Sequence, residues 1–235
     1  MLIMNCIRDG IMIKHELFPT VIGEFHNEDR DFVKQVIVEE GFNYVKDGKA
    51  NEISNPFLHH NEKLQKFYLY VTNCVKDYIR AYMVDPENVN IFITKSYFNV
   101  MNNGCPKHHH KDSDLSFVYY VNVPPEQNFP TTFYAPEELP EPTSEFAKAY
   151  QCSEWNITNS RSWWFPAHEG KMFIFPGSLH HEVRESVEDV PLIGSADFLK
   201  YRVSIVGDIM LTFSESFRTS MTHGNYSPEQ WRRFI

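Results

Sequence analysis

From Asn90 onward the chain is a succession of short apolar runs with the two-residue period of strands, each closed by a turn signal, and few folds accept that pattern. Asn90–Val100 alternates and runs into the turn signal Asn102-Asn103-Gly104. Leu115–Val123, Thr131–Tyr134, Ser162–Phe165, Lys171–Phe175 and Tyr201–Phe213 follow as further strands. Short strands with regular punctuation predict a sandwich or jelly roll. The aromatic content of 15%, with 19 Phe and 12 Tyr, suits pleated, well-filled layers. Residues 124–159 are rich in Pro, Glu, Ser and Thr and predict a long loop around the strand at 131–134. Long loops in compact domains are usually functional or mobile.

The first third of the chain reads differently. Residues 11–25 predict one or two short strands divided by Pro19 and Gly23. Asn27 is placed to cap a helix that carries Phe32, Val33, Val36 and Ile37 at helical spacing, with Gly41 as its C′ residue. After a polar loop over 43–60, Leu64, Phe67, Tyr68, Val71, Val75, Tyr78, Ile79 and Tyr82 form an apolar stripe at i, i+3, i+4 and i+7. Asn61 can cap this second helix and Asp85-Pro86 stops it. A partner-binding surface is the alternative meaning of the stripe; a helix packed on a sheet is the commoner one. The expected architecture is therefore mainly β with flanking helices (α+β). It has a jelly-roll core over about 90–213, helical support over about 27–84 packed on the sheet, and a tail over 214–235, all in one domain.

Composition narrows the partners. A net charge of −9 opposes binding to nucleic acid or anionic membrane, which clustered Lys and Arg would drive. Cys6, Cys74, Cys105 and Cys152 form no C-x-x-C pair and no zinc-knuckle spacing. Reduced thiols fit a cytoplasmic chain. No apolar run is long enough for a signal peptide or a membrane span. A small-molecule or peptide partner is the remaining expectation, with the oligomeric state left open.

Chemistry concentrates in Asn102–Val121, which holds His108, His109, His110 and Asp112 ahead of a strand. If the segment is extended, His110 and Asp112, at i and i+2, share a face. One imidazole and one carboxylate on one face are two of the three ligands of a 2-His-1-carboxylate iron site. The C-terminal half offers His168, His180, His181 and His223 for the third. His180 and His181 are adjacent at a strand start, so only one faces inward. Further on, Arg202 and Ser204 share one face of an otherwise apolar strand. A buried guanidinium there requires an acidic partner, either a protein carboxylate or a bound one.

Together these segments resemble the Fe(II)- and 2-oxoglutarate-dependent dioxygenases, within them the prolyl-4-hydroxylase-like branch. Gly104 followed by His110-Lys111-Asp112 looks like that branch's glycine turn and H-x-D motif. Val118-Tyr119-Tyr120-Val121 resembles the strand after it. Gly170–Phe175 followed by Leu179-His180-His181-Glu182-Val183 resembles the distal strand and H-E-V, which selects His181 over His180. Arg202-Val203-Ser204 looks like the segment that holds 2-oxoglutarate. Leu17-Phe18-Pro19-Thr20 before an amphipathic helix resembles the start of a group of bacterial and phage oxygenases of this type. The interval from His181 to Arg202 is long for the branch, with Val187–Lys200 as an insertion.

The resemblance implies a double-stranded β-helix in which His110, Asp112 and His181 hold Fe(II), while Arg202, Ser204 and Tyr120 hold 2-oxoglutarate. O2 is the co-reactant, and ascorbate is a further cofactor candidate. The implied reaction is hydroxylation of a C–H bond, on a prolyl or other peptide residue or on a small molecule, with release of succinate and CO2. In the bacterial and phage group the first motif often reads H-x-H-P, which leaves a second ligand set of His108, His110 and His181. The alternative class is a cupin-like metal-binding protein or dioxygenase that does not use 2-oxoglutarate.

Overall fold

The structure, a computed structural model, describes residues 20–44, 52–53, 56–101, 104–136, 151–156, 159–184, 199–214 and 227–232. The strand signals before Thr20, the turn at Asn102-Asn103, the middle of the 124–159 loop, most of the 187–200 insertion and much of the tail lie outside them, as do Cys6 and His223.

Among the described residues ten strands form two antiparallel sheets. The strands are β1 (Gly23–His26), β2 (Glu52–Ile53), β3 (Val89–Met101), β4 (Cys105–His108), β5 (Leu115–Asn122), β6 (Thr131–Tyr134), β7 (Ser162–Phe165), β8 (Lys171–Pro176), β9 (His181–Val183) and β10 (Arg202–Phe213). The larger sheet has the order β1-β8-β5-β10-β3-β2 and the smaller β4-β9-β6-β7. Two faced antiparallel sheets with crossing connections are the expected jelly roll.

The central strand β5 is buried along its whole length because both of its faces are covered. Leu115, Phe117, Tyr119 and Val121 join Met172, Ile174, Val203 and Ile205 in a core beneath the helices. Val118 and Tyr120 join Phe133, Phe173, Phe175 and Leu179 in a second core between the sheets. Successive residues thus serve different layers, as the two-residue period requires.

Helix α2 (Gln65–Arg80) buries Phe67, Tyr68, Val71, Cys74, Val75, Tyr78 and Ile79, the stripe expected of a helix lying on a sheet. Asn61 caps the 3-10 turn that leads into it, its side chain accepting from the Lys63 N–H. Tyr82 lies beyond the helix end and is exposed, although its hydroxyl meets that of Tyr78 at 3.1 Å. Helix α1 (Arg30–Tyr44) buries Val33, Val36 and Ile37 but leaves Phe32 exposed. It also runs through Gly41, which was expected to end it. A glycine inside a helix costs only about 1 kcal/mol, too little to stop one anchored by three buried aliphatic residues. Among the described residues no helix is long and apolar enough to cross a membrane.

Candidate metal and cosubstrate site

The two sheets bring three histidines to one point. His108 ends β4 and His181 begins β9, and the two are directly paired in the smaller sheet. His110 follows two residues after the end of β4, in a turn fixed by backbone bonds. Its N–H donates to the Gly177 carbonyl at 2.8 Å, and the Gly177 N–H donates to the Asp114 carbonyl at 3.0 Å. Asp114 in turn joins β10, through its own N–H to the Ile209 carbonyl at 3.0 Å and through its carboxylate to the Leu211 N–H at 2.7 Å. Gly177 permits this closeness: a Cβ there would stand 2.3 Å from the Ser113 Oγ and 3.1 Å from the His110 carbonyl oxygen.

The ring centroids of His108 and His181 are 4.3 Å apart, those of His110 and His181 5.3 Å, and those of His108 and His110 5.4 Å. One ligand atom from each ring lies within 4.8 Å of the others. Their hydrogen bonds determine which nitrogen faces the cluster. His108 Nδ1 is 2.8 Å from the Pro106 carbonyl and His181 Nδ1 is 2.9 Å from the Leu179 carbonyl. A carbonyl only accepts, so both rings carry their proton on Nδ1 and keep a lone pair on Nε2. His110 Nδ1 is 2.6 Å from Asp208 Oδ1, with the same consequence. Burial pushes the His181 imidazole down to about 3 and also lowers that of His108, so these two rings are neutral at physiological pH. Phe133 and Phe175 pack against His181 and form an apolar wall behind the cluster. Convergent imidazole lone pairs with their second nitrogens already bonded fit a borderline divalent cation such as Fe(II).

Asp112 is not part of the cluster. It is exposed in the turn after His110, and His108 occupies the third place instead. The expectation for Asp112 relied on an extended segment, but β4 stops at His108 and the chain turns at 111–112. With no strand beyond His108, the two-residue period cannot put His110 and Asp112 on one face. His109 and His180 meet each other, with ring centroids 4.3 Å apart, outside the cluster.

Asp208 was not anticipated. It lies on β10 opposite Ser116 and accepts that residue's hydroxyl at 3.0 Å. Burial would raise its pKa, but the hydrogen bond from His110 overrides this and holds it below the ordinary aspartate value. The signal was available: Arg202, Ser204, Val206 and Asp208 stand at two-residue spacing on one strand face. A β-bulge follows directly after Asp208.

At the other end of that face, Arg202 is 1% exposed. It donates from one terminal nitrogen to the Phe129 carbonyl at 2.5 Å and from the other to Thr131 Oγ1 at 3.2 Å. Its backbone N–H donates to Gln127 Oε1 at 2.7 Å, and its guanidinium lies 4.9 Å from the centre of the Tyr120 ring. The Tyr120 hydroxyl meets Thr131 Oγ1 at 2.7 Å, and Ser204 is buried opposite Tyr120 across the strand pair. The Arg202 Nε is buried without a hydrogen-bond acceptor, and among the described residues no carboxylate pairs with the side chain. A guanidinium has five N–H donors, and the Nε–H at least has no partner among the described residues and is open to an anion. Cys105 links the two regions: its thiol is 3.6 Å from His108 Nδ1, and it interacts electrostatically with Arg202. Thr131, Gln127 and Phe129 could not be found from the sequence, because only the pairing of the sheets brings them to Arg202.

Comparison with known proteins agrees with this arrangement. Residues 95–193 match the model of a family described as "Putative 2OG-Fe(II) oxygenase". The fold is similar to that of the non-heme α-ketoglutarate-dependent carbocyclase SnoK from nogalamycin biosynthesis, at 9% identity and a TM-score of 0.51, over 88% of this chain and 90% of that one. It is also similar to the epimerase SnoN in complex with Fe3+, α-ketoglutarate and nogalamycin RO, at 10% identity and a TM-score of 0.50, over 89% of this chain and 88% of that one. No curated protein sequence matches the chain. The matched segment contains β4, β5 and β9 and with them all three clustered histidines.

Proposed function

We propose that the protein is an Fe(II)- and 2-oxoglutarate-dependent dioxygenase that hydroxylates a C–H bond of a small-molecule or peptide substrate, releasing succinate and CO2. The observation that carries this reading is Arg202, a buried guanidinium whose Nε has no acceptor and which pairs with no carboxylate among the described residues, at the end of the strand face that also reaches the histidine cluster. Leaving such a charge unpaired costs several kcal/mol, which a bound dicarboxylate would offset.

His108, His110 and His181 would hold the iron through Nε2. Arg202 would bind the distal carboxylate of 2-oxoglutarate in its planar fork. Thr131 and Phe129 fix the orientation of the guanidinium, and the Tyr120 ring packs on it. Ser204, buried opposite Tyr120 on the same strand face as Arg202, would add its hydroxyl to the same carboxylate. Iron with O2 supplies the oxidising chemistry when bound. The aromatic wall of Phe133 and Phe175 keeps that chemistry in an apolar enclosure.

The all-histidine ligand set favours one second reading, a metal dioxygenase that does not use 2-oxoglutarate; it leaves Arg202 without a ligand. Anaerobic addition of 2-oxoglutarate to the Fe(II) protein separates the two. The proposal expects a weak visible charge-transfer band that is lost in His181→Ala and weakened in Arg202→Met, and succinate release in air. Absence of the band at saturating 2-oxoglutarate, in protein shown to bind Fe(II), would leave the second reading.

A further inference from the structure

Three neutral imidazoles bring no negative charge to a metal, whereas a 2-His-1-carboxylate set brings one. The three rings of this cluster are not equivalent in what stands behind them. His108 and His181 donate from Nδ1 to the neutral carbonyls of Pro106 and Leu179. His110 alone donates to an anion, Asp208, at 2.6 Å, with both side chains largely shielded from solvent at 18% and 15% exposure. The placement of Asp208 is fixed on several sides. Its register partner Ser116 donates a hydroxyl to the same oxygen that meets His110. The Thr94 hydroxyl is 3.3 Å from its backbone carbonyl, and the bulge after it sets the strand direction. A carboxylate behind a ligating imidazole raises the basicity of the ring and fixes its orientation.

We infer that Asp208 is a positioning residue that gives the metal site, through His110, the negative charge its ligands lack, so that the carboxylate of this centre sits one hydrogen bond behind the metal rather than on it. The inference rests on the iron reading above. It assigns Asp208 a role that neither a hydrogen-bonded surface acid nor a strand-stabilising contact with Ser116 would have. With a divalent metal and dianionic 2-oxoglutarate bound on the buried Arg202 guanidinium, the three-histidine site keeps one net positive charge, which Asp208 neutralises.

The test is anaerobic Co(II) binding by the full chain, measured by competition with a chromophoric chelator, in wild type and in Asp208→Asn, Asp208→Ala and Asp208→Glu. Asn keeps an acceptor for the His110 N–H and removes only the charge. The expected result is an affinity about 10–100-fold weaker in Asp208→Asn, nearly as weak as in Asp208→Ala, and largely restored in Asp208→Glu. In the Fe(II)–2-oxoglutarate form, the charge-transfer band of Asp208→Asn moves to higher energy. Unchanged Co(II) affinity in Asp208→Asn, with loss only in Asp208→Ala, would overturn the charge role. A measurement on wild type covers the case of a variant that does not fold. In the 15N-histidine-labelled Zn(II) protein, the His110 Nδ1 proton should resonate further downfield than those of His108 and His181; equal positions would overturn the inference. If wild type binds no metal, the iron reading falls with it. If wild type binds and Asp208→Asn binds equally well, only the present inference falls.

Discussion

Replacing Arg202 by Met should abolish stabilisation of the Fe(II) protein by 2-oxoglutarate while leaving metal binding in place. Ligand present at one hundred times its Kd stabilises a folded protein by about 2.7 kcal/mol. At roughly 2–4 °C per kcal/mol for a chain of this size, wild type should gain about 5–11 °C in Tm. A carboxylate seated on the guanidinium fork would take two of its N–H donors, the unpartnered Nε–H among them. At about 1.5–3 kcal/mol for each charge-assisted bond, their loss is worth about 3–6 kcal/mol, or about a 100- to 10,000-fold rise in Kd. The same ligand concentration then stays at or below Kd, and the shift falls to about 1–2 °C or less. Met fills most of the side-chain volume, and a far-UV CD spectrum with an apo Tm checks that the sheets have formed. Differential scanning fluorimetry under nitrogen, with and without 2-oxoglutarate, gives the comparison. A variant that keeps the wild-type shift would refute the assignment of the cosubstrate carboxylate to Arg202.

Three further perturbations follow from the geometry. His108→Ala should abolish tight Co(II) binding while Asp112→Ala leaves it unchanged, because His108 and not the exposed Asp112 belongs to the cluster; chelator competition on both variants decides it. Gly177→Ala should destabilise the fold and weaken metal affinity together, since its Cβ would press on Ser113 and displace the turn that carries His110; urea unfolding and Co(II) titration report the two effects. Glu24→Gln should cost about 1–3 kcal/mol in urea unfolding by leaving the buried Lys171 ammonium, now 2.9 Å from Glu24, without its charge partner. Burial alone would raise the Glu24 carboxyl, but Lys171 reverses this and holds its pKa below the usual value. The stabilisation from this pair is therefore fully present above the ordinary carboxylate pKa. It is lost as pH falls through the depressed one, and Glu24→Gln should flatten that part of the stability profile.

Local patterns in the sequence were reliable where a residue's role depends on its near neighbours. The stripe from Leu64 to Ile79 and the strand runs of β5, β8 and β10 reappear as elements with the expected faces buried. His181 lies in the histidine cluster and His180 does not, as adjacent residues of a strand face opposite ways. At Asp112 the rule does not apply, since residues 111–112 form a turn. It was not carried far enough along β10, where it would have put Asp208 on the face of Arg202 and Ser204.

By itself the sequence determined the layered β architecture, the helix that covers it, and an inventory of histidines and one arginine able to serve a metal and a carboxylate. Those features are encoded in periodicity and residue type, which act over a few residues. Only the tertiary structure decided which histidines meet, that Asp208 stands behind His110, and that the Arg202 Nε is buried with no acceptor among the described residues. Each of these depends on sheet register and on where a strand ends, and register is set by side chains packing across strands that are far apart in the chain.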